Sequence, residues 1–490
     1  MFVTMLFVAS DRMHGGTTVT STQMTTPTPT LTTKGVWLTL IVVLLADAMD
    51  LIDSTITNIA APSIVADLGA DESVIKWLGA AYALALGSLL VLGGRIGDKF
   101  GQRGTFLIGM AGFVAASAAA GLALSPEMLI GARVAQGVFG AFLIPQGMAI
   151  MTATFPKPAL QKAFGVFAPM LGVFAVAGPI LGGLLIDANL FGLEWRPVFL
   201  INLVLGGVAL GMAVKFLPRV APRPATRIDV LGSVLLVAAL FGVLFGLIEG
   251  SSDGWGPLAI TALAVGAVVF AGFVWRQART SDPLLPRTLL ANRGFTAGLV
   301  VGLLVFAGFS GLMYVISLFL QLSLGYSPTQ TSLSLIPLTL GIMGGSGIAA
   351  ALIVKLARRL VVLGLGAILV GVGLMLAFVT ATGADLTWWQ LAIATLFMGL
   401  GAGICFSSIF NTALGDVDAH EAGSASGSLS AVQQVANGIG SALVTSIFLT
   451  LLPGGEVGAV SATLIVLLAI LAVCLLVVPL LPRTAVADVE

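Results

Sequence analysis

Charge is scarce in this chain. Only 9% of its 490 residues are Asp, Glu, Lys or Arg, against about a quarter in soluble domains. The 22 basic and 22 acidic side chains cancel, which argues against a nucleic-acid partner. Histidine is almost missing: His14 lies in the N-terminal stretch and His420 in a polar loop. No histidine cluster or haem-ligand pair is on offer, which weighs against a membrane redox enzyme. The two cysteines, Cys405 and Cys474, sit in apolar blocks without metal-ligand spacing and read as buried thiols that pack as small hydrophobes. No metal site and no cofactor is expected.

What the chain does have is apolar length. It is 58% hydrophobic, laid out in blocks of about 20 residues, each long enough to cross the roughly 30 Å hydrocarbon core as a helix. The blocks fall at 36–60, 74–94, 104–124, 129–152, 163–187, 198–217, 229–249, 257–275, 295–321, 331–352, 360–382, 388–411, 424–450 and 460–481. The expectation is an all-α integral membrane protein of fourteen spans. Residues 1–35 stand apart: Thr-rich, with Pro27 and Pro29 and no helical period, they read as a disordered tail.

The basic residues orient the spans. With the N-terminus inside, the inner segments hold nineteen Lys and Arg, the outer loops only Lys76 and Arg196, and one, Arg133, falls within a span. This bias predicts both termini on the cytoplasmic side. The outer loops are acidic, while one inner loop departs with Asp416, Asp418 and Glu421.

Several stretches carry motifs. After the second span the chain reads GGRIGDKFGQRG (93–104), where Gly94 permits close helix approach, Gly101 a tight turn, and Asp98 sits near a helix end. The first span carries DLIDSTITNIAAPSI (50–64), the second WLGAAYAL with Trp77 and Tyr82, the fourth ARVAQGVFGAFLIPQ with Arg133, Gln136 and Gly137. The fifth carries GPILGG (178–183); WRPVFLIN (195–202) and GSASGSLSAVQQVANGIG (423–440) follow. Taken in order, these resemble the motifs of the major facilitator superfamily, and within it the fourteen-span drug:proton antiporter family, from about residue 36 to 481. The resemblance implies two six-helix bundles at 36–217 and 294–482, an inserted helix pair with its cytoplasmic linker at 218–293, and a C-terminal tail at 483–490. It implies that Gly94, Asp98, Gly101 and Arg103 latch the two halves, and that Gly178, Pro179, Gly182 and Gly183 act in gating. There are departures. Val204 stands where the family usually has Pro. When Lys355 and Arg359 are laid on Lys99 and Arg103, Val354 replaces the Asp, so the second-half latch is weaker or uses other partners. The tenth span has no acidic residue.

Asp47, Asp50 and Asp53 are the conspicuous chemistry. Charge inside a span is costly and marks function, and at about 100° per residue the three lie within about 120° of arc. They are the expected proton-coupling groups, with Arg133 as the cation that tunes them; a first-span Asp or Gln136 is its natural partner. Asp50, Asn58 and Gln136 are candidate substrate contacts. The sequence reads as a proton-coupled exporter of small amphiphilic or cationic compounds in a bacterial plasma membrane, not an enzyme, a monomer whose partners are the proton, the substrate and lipid. The alternatives are an uptake symporter on the same fold, a membrane-embedded enzyme, for which no catalytic cluster stands at a span end, and a non-transporting sensor.

Overall fold

The computed structural model describes residues 33–69, 73–219, 229–253, 255–418 and 421–482. The N-terminal tail and residues 483–490 lie outside the described residues. Among the described residues fourteen long helices run in chain order: α1 Thr33–Leu68, α2 Ser73–Phe100, α3 Gln102–Gly121, α4 Pro126–Thr154, α5 Lys157–Asp187, α6 Pro197–Phe216 and α7 Val230–Asp253. They continue as α8 Pro257–Arg279, α9 Arg293–Leu318, α10 Ile336–Leu356, α11 Arg358–Thr382, α12 Trp388–Leu414, α13 Ala422–Leu451 and α14 Glu456–Val477. Among the described residues thirteen helices are long and apolar enough to cross a bilayer; the 31-residue α5 completes the fourteen.

Local chemistry sets the helix ends. Ser125 starts α4 by accepting a bond from the Met128 amide, with Pro126 in the first turn, and Asn292 caps α9 through the Phe295 amide. Thr387 and Gln390 form a reciprocal capping box at α12. Gly101 takes φ +104° between α2 and α3, a conformation that a side chain would strain.

The helices sort into two sets. α1–α6 pack mainly among themselves and α9–α14 do likewise, with equivalent pairings: α2 and α3 on α4, as α10 and α11 on α12; α1 on α5 and α6, as α9 on α13 and α14. The halves meet along two seams, α2 with α13 and α5 with α10, which exchange under the pseudo-two-fold relation of such repeats. The inserted pair breaks that relation. α7 lies on α2 and α13, where Leu244 and Leu247 face Gly438, while α8 packs chiefly on α7 and shows Val265 and Val268 on its open side.

The loops α2–α3, α4–α5, α6–α7, α8–α9, α10–α11 and α12–α13 share one end of the molecule, here the basic end. Apolar packing between the halves is concentrated there. One cluster unites Val36, Leu40, Met151, Phe155, Phe164 and Phe167 of the first half with Phe306, Phe406 and Phe410 of the second. Toward the other end, Ile52, Ile56, Leu78, Trp195 and Phe199 form a cluster of first-half residues alone. The halves are therefore shut at the basic end. At the opposite end Asp67 accepts from Trp195 Nε1 at 2.9 Å and Arg196 Nη1 at 2.8 Å, which hold its carboxyl below the ordinary range and pin α1 to α6.

Gly94 marks the tightest crossing of the α2–α13 seam: a Cβ there would run into the Gly423 carbonyl, with the Gly423 carbon at 2.8 Å. Gly94→Val is expected to push the halves apart at the basic end and shift the population toward the open form by about tenfold, ~1.4 kcal/mol. Distances between spin labels on the α2–α3 and α12–α13 loops would show it; an unchanged distribution would mean that the crossing adjusts without opening.

Candidate functional site

The first half has at its centre an ion pair sealed from solvent. Asp53 of α1 and Arg133 of α4 have no exposed side-chain surface, and Arg133 Nη1 donates to Asp53 Oδ2. The same nitrogen reaches Gln136 Oε1 at 2.9 Å, and Arg133 Nε donates to the Leu78 carbonyl of α2 at 2.9 Å. Asp53 Oδ1 accepts from Gln136 Nε2 at 3.0 Å and from Asn202 Nδ2 of α6 at 2.7 Å. Both amides also donate to Ser117 Oγ of α3, at 2.8 and 3.3 Å. The guanidinium lies over the Tyr82 ring at 4.5 Å, with Phe199 at 5.9 Å. Helical spacing builds this assembly. Arg133 and Gln136 are three apart on α4, and Phe199 and Asn202 three apart on α6, so each pair shares a face. A buried charge stripped of its partner costs about 3–5 kcal/mol, so the carboxylate, guanidinium and amides fix one another's place.

The other two first-span carboxylates differ in setting. Asp47 is 7% exposed. Asp50 is half-buried, with Oδ1 enclosed and without a hydrogen-bond partner. The side chain of Asn58 lies outside the described residues. Ser117 is a partner that sequence reasoning missed, and Asn202 entered it only as a motif letter. A lone serine amid the small residues of α3 was the available signal.

The latch candidates lie where α2 meets α13. Asp98 accepts from the Gly423 and Ser424 amides at 2.9 and 2.8 Å and from Ser424 Oγ at 2.6 Å, so a first-half carboxylate caps the first turn of a second-half helix. Beside it Ser426 Oγ donates to the Pro145 carbonyl of α4 at 2.8 Å. Arg103 stays within its own half, donating to the Val214 carbonyl at the end of α6 at 2.6 Å. Its counterpart in the second half is Arg358, which reaches the Pro479 carbonyl just beyond α14 at 3.3 Å; Arg359, aligned with Arg103 by sequence, is exposed. Val354 is exposed too, and α5 meets the second half through small and apolar contacts, Gly165 against Ala350 of α10 and Phe164 beside Phe410 of α12.

Gly178 faces Thr55 and Ile52 of α1, inside the first half. Gly182 is buried and Gly183 half-buried; the side chain of Pro179 lies outside the described residues. Among the described residues no group of three or more His, Cys, Asp or Glu is placed to hold a metal ion, and Cys405 and Cys474 are free, buried thiols.

The model of the Major Facilitator Superfamily matches residues 43–441. The chain belongs to that superfamily. Among its relatives, the probable actinorhodin transporter of Streptomyces coelicolor is 40% identical over 85% of this chain and 73% of its own length. The tetracenomycin C resistance and export protein of Streptomyces glaucescens is 34% identical over 83% of this chain and 75% of its own. The crystal structure of the human organic anion transporter matches with a TM-score of 0.63 at 17% identity, covering 91% of this chain and 98% of that one, a likeness of fold alone. Membership in this superfamily makes the chain a multi-pass transporter and not an enzyme.

The Asp98 cap gives a direct expectation. Replacing a charged acceptor by an amide removes about 1.5–3 kcal/mol of bonding. In Asp98→Asn, hydrogen-exchange protection of the Gly423 and Ser424 amides should fall at least about tenfold while the rest of α13 keeps its own. Unchanged protection would mean that the carboxylate does not hold the seam.

Proposed function

We propose that this transporter exports small amphiphilic or cationic compounds across the bacterial plasma membrane in exchange for protons, by alternating access of its two halves. The observation that carries the reading is the sealed Asp53–Arg133 pair: ionisable groups inside a membrane span are costly and mark proton and substrate pathways. The names of the relatives, one an actinorhodin transporter and one a tetracenomycin C resistance and export protein, support export of small molecules.

The basic end is cytoplasmic on the positive-inside bias of its loops, and both termini then lie inside. The conformation is therefore closed toward the cytoplasm, held by Asp98 on α13 and by the phenylalanine contacts of α5 with α12. In this state the first-half carboxylates answer to the outside. A proton arriving there neutralises Asp53, weakens its hold on Arg133, and with it the tie among α1, α4 and α6. The rearranged half closes outward and opens inward, where the proton leaves and substrate enters. Exchange of one proton for one monovalent cation moves no net charge and draws on the pH gradient, whereas exchange for an uncharged compound also draws about 2.3 kcal/mol per 100 mV from the membrane potential. Gln136 and Asn202 steady the carboxylate through both states. The protein acts as a monomer, since both seams and the ion pair are complete within one chain.

Asp53→Asn fixes the neutral form. In proteoliposomes carrying matched amounts of protein, addition of ethidium should move protons with the wild type and at least about tenfold more slowly with Asp53→Asn. Wild-type proton movement in the variant would remove Asp53 from the exchange.

A further inference from the structure

Four enclosed polar atoms around the ion pair lack partners, Asn202 Oδ1 and the Tyr82 hydroxyl among them, and two of the four belong to charged groups of opposite sign. Arg133 uses Nε on the Leu78 carbonyl and Nη1 on Asp53 and Gln136, but its Nη2 is buried without an acceptor. One turn before Asp53, Asp50 has Oδ1 enclosed without a donor. Asp50 lies near enough to Asp53 and Arg133 for both charges to act on it. An unsatisfied buried polar group costs about 1–3 kcal/mol, more when charged. A free guanidinium donor and a free carboxylate oxygen, on facing helices around one cation, are what a two-position switch leaves behind in one of its positions.

We propose that Arg133 alternates between Asp53 and Asp50, and that Asp50 is the carboxylate that holds a cationic substrate while Arg133 is on Asp53. This deepens the proton-exchange reading and rests on it. The charges balance at each stage. With Arg133 on Asp53, Asp50 carries the spare negative charge and takes one organic cation. A proton then binds Asp53, forming one O–H bond and releasing the guanidinium. Arg133 moves to Asp50, and the cation is displaced. The two carboxylates and the arginine, together with whichever of proton or substrate is bound, sum to zero in both loaded states, the condition a low-dielectric site favours.

The surroundings leave few competitors. On α1, Asp47 is buried one turn before Asp50. α2 contributes Tyr82, whose hydroxyl is enclosed without a partner; Arg95, Asp98 and Lys99 stand three turns or more away toward the basic end. α3 and α6 contribute Ser117 and Asn202, which do not titrate in this range. On α5, Lys162 is exposed near the basic end.

The test needs no knowledge of the natural substrate. In a structure of purified Asp53→Asn, Arg133 should sit within ion-pair distance of Asp50. In thermal unfolding, Asp50→Asn should leave the wild-type Tm unchanged or raise it, because it removes an unpaired carboxylate. In the Asp53→Asn background the same change should lower Tm by about 4 °C or more, because it orphans the arginine. Arg133 remaining on Gln136 and Leu78 with Asp50 unpaired, or an equal Tm change in both backgrounds, overturns the switch. Should Asp53→Asn fail to fold, ethidium binding decides: Asp50→Asn should bind at least tenfold more weakly, and wild-type affinity overturns the proposal. Failure of wild-type liposomes to couple ethidium to protons would instead sink the exchange reading, leaving the arginine switch to stand or fall on structure and stability.

Discussion

A guanidinium enclosed between helices has no water to turn to, so the protein around it must answer its charge. In this chain one arginine sets that demand, and five helices meet it. Arg133 draws Asp53 from α1, a carbonyl and a ring from α2, and Gln136 from its own helix; the bonded carboxylate in turn holds Asn202 of α6 and, through the amides, Ser117 of α3. Every one of these contacts lies inside the first half. Apolar packing tells helices in a bilayer little about which neighbour to choose, because lipid tails are as apolar as leucine. The ion pair and its amides supply the preference, and the small residues let the backbones come near enough to use it.

The two halves share a frame and differ in chemistry. Their helix pairings correspond, and the staple from Arg103 to the end of α6 is repeated by Arg358 beyond α14. The charge inside the membrane is not repeated. The second half has no acid in α10 and an exposed Val354 where the first has its buried Asp98; it meets the first half with glycine, serine and phenylalanine. One half thus handles charge and the other offers a surface to rock against. The inserted α7 lies over only one of the two seams, α2 with α13, so the molecule is lopsided in the bilayer as well as in its chemistry.

Much of this was legible in the sequence, for a physical reason. The bilayer dictates helix length, so apolar blocks found by counting became helices within a few residues, as at 257–275 against Pro257–Arg279. The tenth span was read less well: 331–352 became a short helix at Pro328–Ser334 followed by Ile336–Leu356, because Pro337 restarts the helix at Leu335. Asp53, Arg133 and Gln136 were legible because charge and amide are rare inside spans. Asn202 and Ser117 were not, since a small polar side chain declares its partner only once helices are packed. The Asp98 cap joins residues more than 300 apart, which no local pattern reveals. Lys355 and Arg359 stand about the break at Ala357, φ 44°, as Lys99 and Arg103 stand about Gly101, but the bond to the neighbouring helix end comes from Arg358, which spacing alone does not reveal.

The central claim is that the buried ion pair makes export depend on protons. Inverted membrane vesicles with an acid interior and no membrane potential test it most directly, with ethidium as the probe. The account predicts accumulation of ethidium in the vesicles as long as the pH gradient stands, and its loss when nigericin collapses the gradient in symmetrical potassium. Accumulation that persists unchanged after the gradient is gone would contradict it.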